Sequence, residues 1–170
     1  MSENRVPEPW LRGTLMDVPA VHRGVLHALE LAGENLMYWC GPLSDEQLDR
    51  SVADIAPVAF HLRHIARSLD RLLTYAEGNA LNEQQFAALR SELSCIGRRE
   101  QLFAELAAAL EGSALRVRKL AYASLEEPRM VGQKKFPTTV GGLLVHIADH
   151  TQRHVGQAIT TAKFVRAQIP

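Results

Sequence analysis

Apolar residues recur at helical spacing through most of the chain, and four segments carry the pattern strongly. The first is predicted over about Pro19 to Cys40, where Val25, Leu29 and Leu36 form a stripe, Pro19 suits the first turn and Gly41-Pro42 is a stop. The second opens near Pro57, sets Val58, Leu62, Ile65, Leu69, Leu72 and Leu73 on one face, and ends at Gly78, a residue suited to a left-handed cap. A third region runs from about Glu83 to Tyr122. Ser94 and Gly97 divide it into a short piece and a long one bearing Leu102, Phe103, Leu106, Leu110 and Leu120. Thr138 or Thr139 can cap a last helix that reaches about Arg166, and the connection before it, Glu126 to Pro137, is rich in Pro, Gly and charge. No alternating strand run, internal repeat or low-complexity stretch interrupts this reading, so the expected class is all-α, a four-helix bundle. Residues 1–18 read as an extended arm that carries Trp10 beside Pro9.

Length and composition narrow the picture. With 170 residues, 46% apolar and 22% charged, the chain can close one hydrophobic core, and residues 1–170 are expected to form a single domain. Nineteen basic residues cancel nineteen acidic ones, which removes the long-range field expected of a nucleic-acid or anionic-membrane binder. The run Arg116-Val-Arg-Lys119 is read as a solvated helix face. No stretch approaches the ~20 apolar residues of a membrane span, and the N-terminus lacks the apolar run of a secretory signal, so a soluble, cytoplasmic protein is expected. Cys40 and Cys95 form no Cys-x-x-Cys pair and are read as reduced packing thiols. A Gly-x-Ser-x-Gly elbow, a P-loop and a dinucleotide glycine fingerprint are all missing.

The seven histidines are the unusual feature, and five of them fall in two clusters. On the last helix His146, His150 and His154 recur every four residues, which aligns them on one side. Two imidazoles one turn apart can reach one cation at the ~2.0–2.1 Å nitrogen–metal distances of zinc-like ions. A helical wheel places His154 nearest the apolar side, His150 next and His146 farthest toward the polar face, which favours His150 and His154 as inward ligands. Asp149 and Gln157 flank the pair and are candidates to accept the second N–H of a ligand imidazole. The second predicted helix offers His61 and His64 as a third ligand, and spacing alone does not choose between them. His22 and His27 have no partner at metal spacing and are read as exposed or packing residues.

Two stretches, Leu62-Arg-His-Ile-Ala-Arg-Ser-Leu-Asp-Arg-Leu72 and Thr138-Thr-Val-Gly-Gly-Leu-Leu-Val-His-Ile-Ala-Asp-His-Thr-Gln-Arg-His-Val-Gly-Gln157, resemble the DinB/YfiT-like family of metal-dependent proteins. Looser similarity extends to Pro9-Trp10 and to Gly41-Pro-Leu-Ser-Asp-Glu-Gln-Leu48. The resemblance implies an up-down-down-up four-helix bundle, frequent homodimers, and one divalent ion held at one end of the bundle by three histidines. Mapped onto this chain the ligands are His64, His150 and His154, so the resemblance selects His64 over His61. Zinc or nickel is the expected ion, with iron, cobalt and manganese as alternatives.

Three imidazoles leave a coordination position open, as a catalytic rather than a structural metal requires. Family relatives include transferases and isomerases that use low-molecular-weight thiols, so the expected activity is a metal-dependent reaction on a small molecule, of thiol-dependent S-transferase or hydrolase type. The alternative is a metal-binding or stress-related interaction bundle without catalysis, which the lack of an obvious protein acid or base would fit. No catalytic residue is assigned.

Overall fold

The computed structural model describes residues 6–92 and 98–167. A turn of 3-10 helix, Pro9–Leu11, precedes α1 (Ala20–Cys40), the short α2 (Asp45–Leu48), α3 (Val58–Ala76), α4 (Glu83–Arg90) and α5 (Arg99–Leu120). Two strands, β1 (Pro128–Val131) and β2 (Phe136–Thr139), then lead into α6 (Val140–Ala167). The chain is mostly helical with one small sheet. No described helix is long and apolar enough to cross a membrane.

The four long helices share one core. Val25, Leu29, Ala32 and Leu36 of α1 meet Leu62, Ile65, Leu69 and Leu73 of α3, Leu102, Leu106 and Val117 of α5, and Leu144, Ile147, Val155 and Ala158 of α6. Burying each Leu of this set contributes roughly 1.5–3 kcal/mol of transfer free energy. Helix α1 packs on α5 and α6, and α3 packs on the same two. Polar contacts give the directions. His61 faces His154 and His64 faces His150, so α3 and α6 run antiparallel. Gln152 donates to the Ala28 carbonyl and Lys163 lies over Trp39, so α6 and α1 run parallel. Arg67 pairs with Glu105 while Asp70 and Glu77 both pair with Arg116, so α3 and α5 are parallel as well.

Helix boundaries follow local chemistry. Gly78 takes φ +84° just past α3, the left-handed conformation expected of it. A Cβ on Gly41 would lie 2.3 Å from the Met37 carbonyl oxygen, which explains the glycine at the end of α1. Thr139, one of the two expected caps, accepts the Gly142 amide of α6 at 3.1 Å. Ser44 and Asn82 form reciprocal capping boxes with Gln47 and Gln85 and start α2 and α4. The third helical region does divide, into α4 and α5; Ser94, Gly97 and Cys95 lie outside the described residues.

Several expectations need correction. The connection before the last helix contains a β-hairpin, with Pro128 opposite Thr139 and Val131 opposite Phe136. Its short, exposed strands lack an alternating apolar pattern, which is why periodicity missed them. Arg129 anchors the hairpin by donating to the Ala76 carbonyl at the C-terminus of α3. The arm is not wholly extended: Pro9–Leu11 turns, and Arg12 binds Glu30 and Glu34 on the outside of α1. In the run read as a solvated face, Arg116 instead bridges α5 to Asp70 and Glu77, and Val117 is fully buried. His27 is buried against Thr14.

His22 is 2% exposed and neither ring nitrogen has a partner. Leaving a polar group buried and unpaired costs roughly 1–3 kcal/mol. Replacing His22 by Leu, of similar volume, is therefore expected to stabilise the fold by about 1 kcal/mol and to raise the melting temperature by ~2–4 °C. Thermal and urea unfolding of the variant beside the parent protein check this, and a lower midpoint would show that the imidazole is satisfied in solution.

Candidate metal centre

Two short spacings on two facing helices build the site. His61 and His64 lie three residues apart on α3, and His150 and His154 lie four apart on α6. Either spacing leaves two side chains on one face of a helix. Because α3 and α6 run antiparallel, His61 falls opposite His154 and His64 opposite His150, and the four rings gather where the two edges meet. One ring nitrogen each of His64, His150 and His154 lie within 4.8 Å of one another. Ring centroids are 4.3 Å apart for His64 and His154, 4.7 Å for His150 and His154, and 5.1 Å for His64 and His150. Phe60 stacks on His64 with its ring 5.2 Å away and nearly parallel.

The hydrogen bonds show which nitrogens are free. His64 Nδ1 is 2.7 Å from a Glu92 carboxylate oxygen, which leaves Nε2 to face the Nε2 of His150 at 3.3 Å. His154 Nδ1 is 3.1 Å from His61 Nδ1. The Nδ1 of His150 is buried without a partner. Two imidazole nitrogens pointed at each other, with a third close by, are donors of the kind that a divalent ion of the zinc or nickel class takes.

Electrostatics favour the neutral rings that a cation requires. Burial, followed by the repulsion of neighbouring imidazoles, lowers the pKa of His61 and His150 from 6.5 to about 4. His154 is lowered to about 4 by burial, by His64 and by Arg153. Glu92 is 5% exposed, and burial alone would raise its carboxyl. Hydrogen bonds from His64 and Arg71 outweigh burial and hold it below the ordinary carboxylate value, so it stays charged beside His64.

Glu92, just past the end of α4, orients His64, whereas neither Asp149 nor Gln157 orients the His150–His154 pair as expected. Asp149 instead pairs with Arg153 on the surface of its own helix, and Gln157 lines a groove beside the rings. No spacing rule connects position 92 to position 64, so the sequence carries no local signal for this partner. His146 is exposed, its ring 5.4 Å from that of His150 and outside the cluster, as the wheel placed it. Cys40 is fully buried and its thiol is pushed up to about 12 by burial, which keeps it inert at neutral pH.

The groove has a volume of about 790 Å³. Phe60 and Ile55 supply apolar wall, Arg153, Gln157 and Thr160 supply polar groups, and His61 and His154 form its border with the cluster. Trp10, by contrast, is 61% exposed with its indole N–H on Glu8, and it does not line this groove.

A helical chain with three imidazoles converging across two antiparallel helices carries a donor set that could hold a metal ion. The sequence profile of the DinB superfamily matches residues 28–158, a span that includes all four clustered histidines. The chain belongs to the DinB superfamily. A comparison with curated proteins finds no match.

The lowered histidine pKa values predict a pH response with a definite sign. His61, His150 and His154 bind protons more readily in the unfolded chain, where their pKa is near 6.5, than in the fold, where it is about 4. In metal-free protein the contribution of these three rings to stability is therefore complete above about 6.5 and is lost as pH falls from there toward 4. Urea unfolding across that range checks this, and replacing His150 by Gln is expected to flatten the slope. Equal slopes in the two proteins would mean that the fold does not hold this ring neutral.

Proposed function

We propose that this chain is a divalent-metal-dependent enzyme that acts on a small molecule, of thiol-dependent S-transferase or hydrolase type, with His64, His150 and His154 as the metal ligands. The observation that carries the reading is the convergence of three imidazole nitrogens within 4.8 Å, one of them from His154, which lines a groove of about 790 Å³. The same reading takes the four long helices as the up-down-down-up bundle of the family, and the functional molecule as a homodimer.

A bound divalent ion supplies Lewis acidity, which activates water or stabilises a thiolate at neutral pH. The protein's own residues do the rest. Burial keeps the His150 and His154 rings neutral, so their lone pairs are available for the ion. Glu92 holds His64 by its Nδ1–H and leaves Nε2 bare. Phe60 and Ile55 shield the side of the groove from water, and Arg153 and Gln157 offer hydrogen bonds to a substrate lying in it. His64, His150 and His154 would hold the ion by three ligands, which would leave it able to take that substrate as well.

Elemental analysis of metal-loaded protein is expected to find about one divalent ion per chain, and His150→Ala or His154→Ala to lose most of it, at least ~10-fold in affinity. Wild-type metal content in both variants would reject the ligand set. A screen with several low-molecular-weight thiols and electrophilic acceptors then separates catalysis from metal storage. Turnover that disappears with chelator and in His154→Ala supports the enzyme, whereas tight metal binding with no turnover of any thiol or ester favours a non-catalytic metal protein.

A further inference from the structure

Beyond the three ligands, His61 is the group that this site leaves unused. Its side chain is 4% exposed and its Nδ1 lies 3.1 Å from the Nδ1 of His154. Two imidazole nitrogens at that distance form a hydrogen bond when one carries the proton and the other does not. If His61 donates, the proton of neutral His154 sits on Nε2, and that nitrogen cannot take a cation. If His154 donates, its Nε2 is bare. We propose that His61 is a positioning residue for the metal site: it accepts the Nδ1–H of His154 and so holds that ring in the tautomer that binds metal. The proposal rests on the metal reading given above. It gives each helix of the site one anchored imidazole, His64 by Glu92 and His154 by His61.

Packing does not explain this residue. The Nε2 of His61 is buried with no partner, a feature that costs folding stability and that a Phe or Leu would lack. A histidine kept at such a position is explained by what its other nitrogen does. Sequence spacing could not choose between His61 and His64 because both belong to the cluster, one facing the open centre and the other standing behind a ligand.

The test is titration of metal-free protein with Co²⁺, read by visible absorption, on wild type, His61→Phe, His61→Gln and His150→Ala. Thermal unfolding of the metal-free forms is measured alongside. His61→Phe is expected to lose ~10–100-fold in Co²⁺ affinity while its metal-free melting temperature stays equal or rises. His61→Gln, whose side-chain oxygen can accept the same N–H, is expected to lose less than ~10-fold and to keep the wild-type absorption spectrum. Unchanged affinity in His61→Phe overturns the proposal. So does a lower metal-free melting temperature in that variant, which assigns His61 to packing. A His61→Gln protein with altered band positions and intensity also overturns it, because His61 would then be a ligand. His150→Ala keeps the two readings apart: cobalt lost there but retained in His61→Phe rejects only the positioning role, whereas cobalt retained in His150→Ala rejects the site itself.

Discussion

The antiparallel packing of α3 against α6 is the constraint on which the site depends. Each helix presents an apolar stripe to the shared core, Leu62, Ile65 and Leu69 on one and Leu144, Ile147 and Val155 on the other. Close packing of those side chains permits few sliding positions. The histidines ride on the shoulder of each stripe, so the register that satisfies the core also brings His64 to His150 and His61 to His154. A displacement of one helical turn, about 5.4 Å, would separate the rings beyond the reach of a shared ion. The histidine cluster therefore inherits its geometry from hydrophobic burial.

Holding these rings together works against stability. Four imidazoles in contact repel one another when charged, and burial disfavours the charge further, so the fold keeps His61, His150 and His154 neutral at the expense of proton affinity. Even the neutral rings leave nitrogens of His61 and His150 without partners. The surrounding structure offsets this with polar braces between elements. Arg71 and Arg63 of α3 hold Glu92, Arg67 reaches Glu105, and Arg116 ties α5 to Asp70 and Glu77. Cost concentrated at one cluster and stabilisation spread around it is the pattern of a functional site.

Access to the rings follows from the same arrangement. The groove opens beside His154, where α6 carries Gly156 and Gln157 and the turn before α3 carries Asp54 and Ile55. A Cβ on Gly156 would meet nothing within 4 Å, so this stretch of α6 leaves open space beside the rings. The described part of the N-terminal arm, from residue 6 on, does not line the groove. Arg12 fastens it to Glu30 and Glu34 on the outer face of α1, and Trp10 covers neither the rings nor the groove.

The helices and the ring-bearing positions were legible in the sequence because both depend on short-range periodicity. Apolar spacing located the four long helical segments, Gly78 and Thr139 marked ends as their backbone chemistry requires, and the i, i+4 spacing of His150 and His154 fixed their common face. The hairpin escaped because four-residue exposed strands carry no period to detect. The choice between His61 and His64 escaped for a different reason: both lie on one shoulder of α3, and which ring meets the centre depends on where α6 stands. Glu92 could not be found at all from spacing, since its place beside His64 is set by how α4 returns across α3. The sequence by itself determined which residues share a helical face; only the tertiary structure decided which faces meet, because that register is set by packing between segments far apart along the chain.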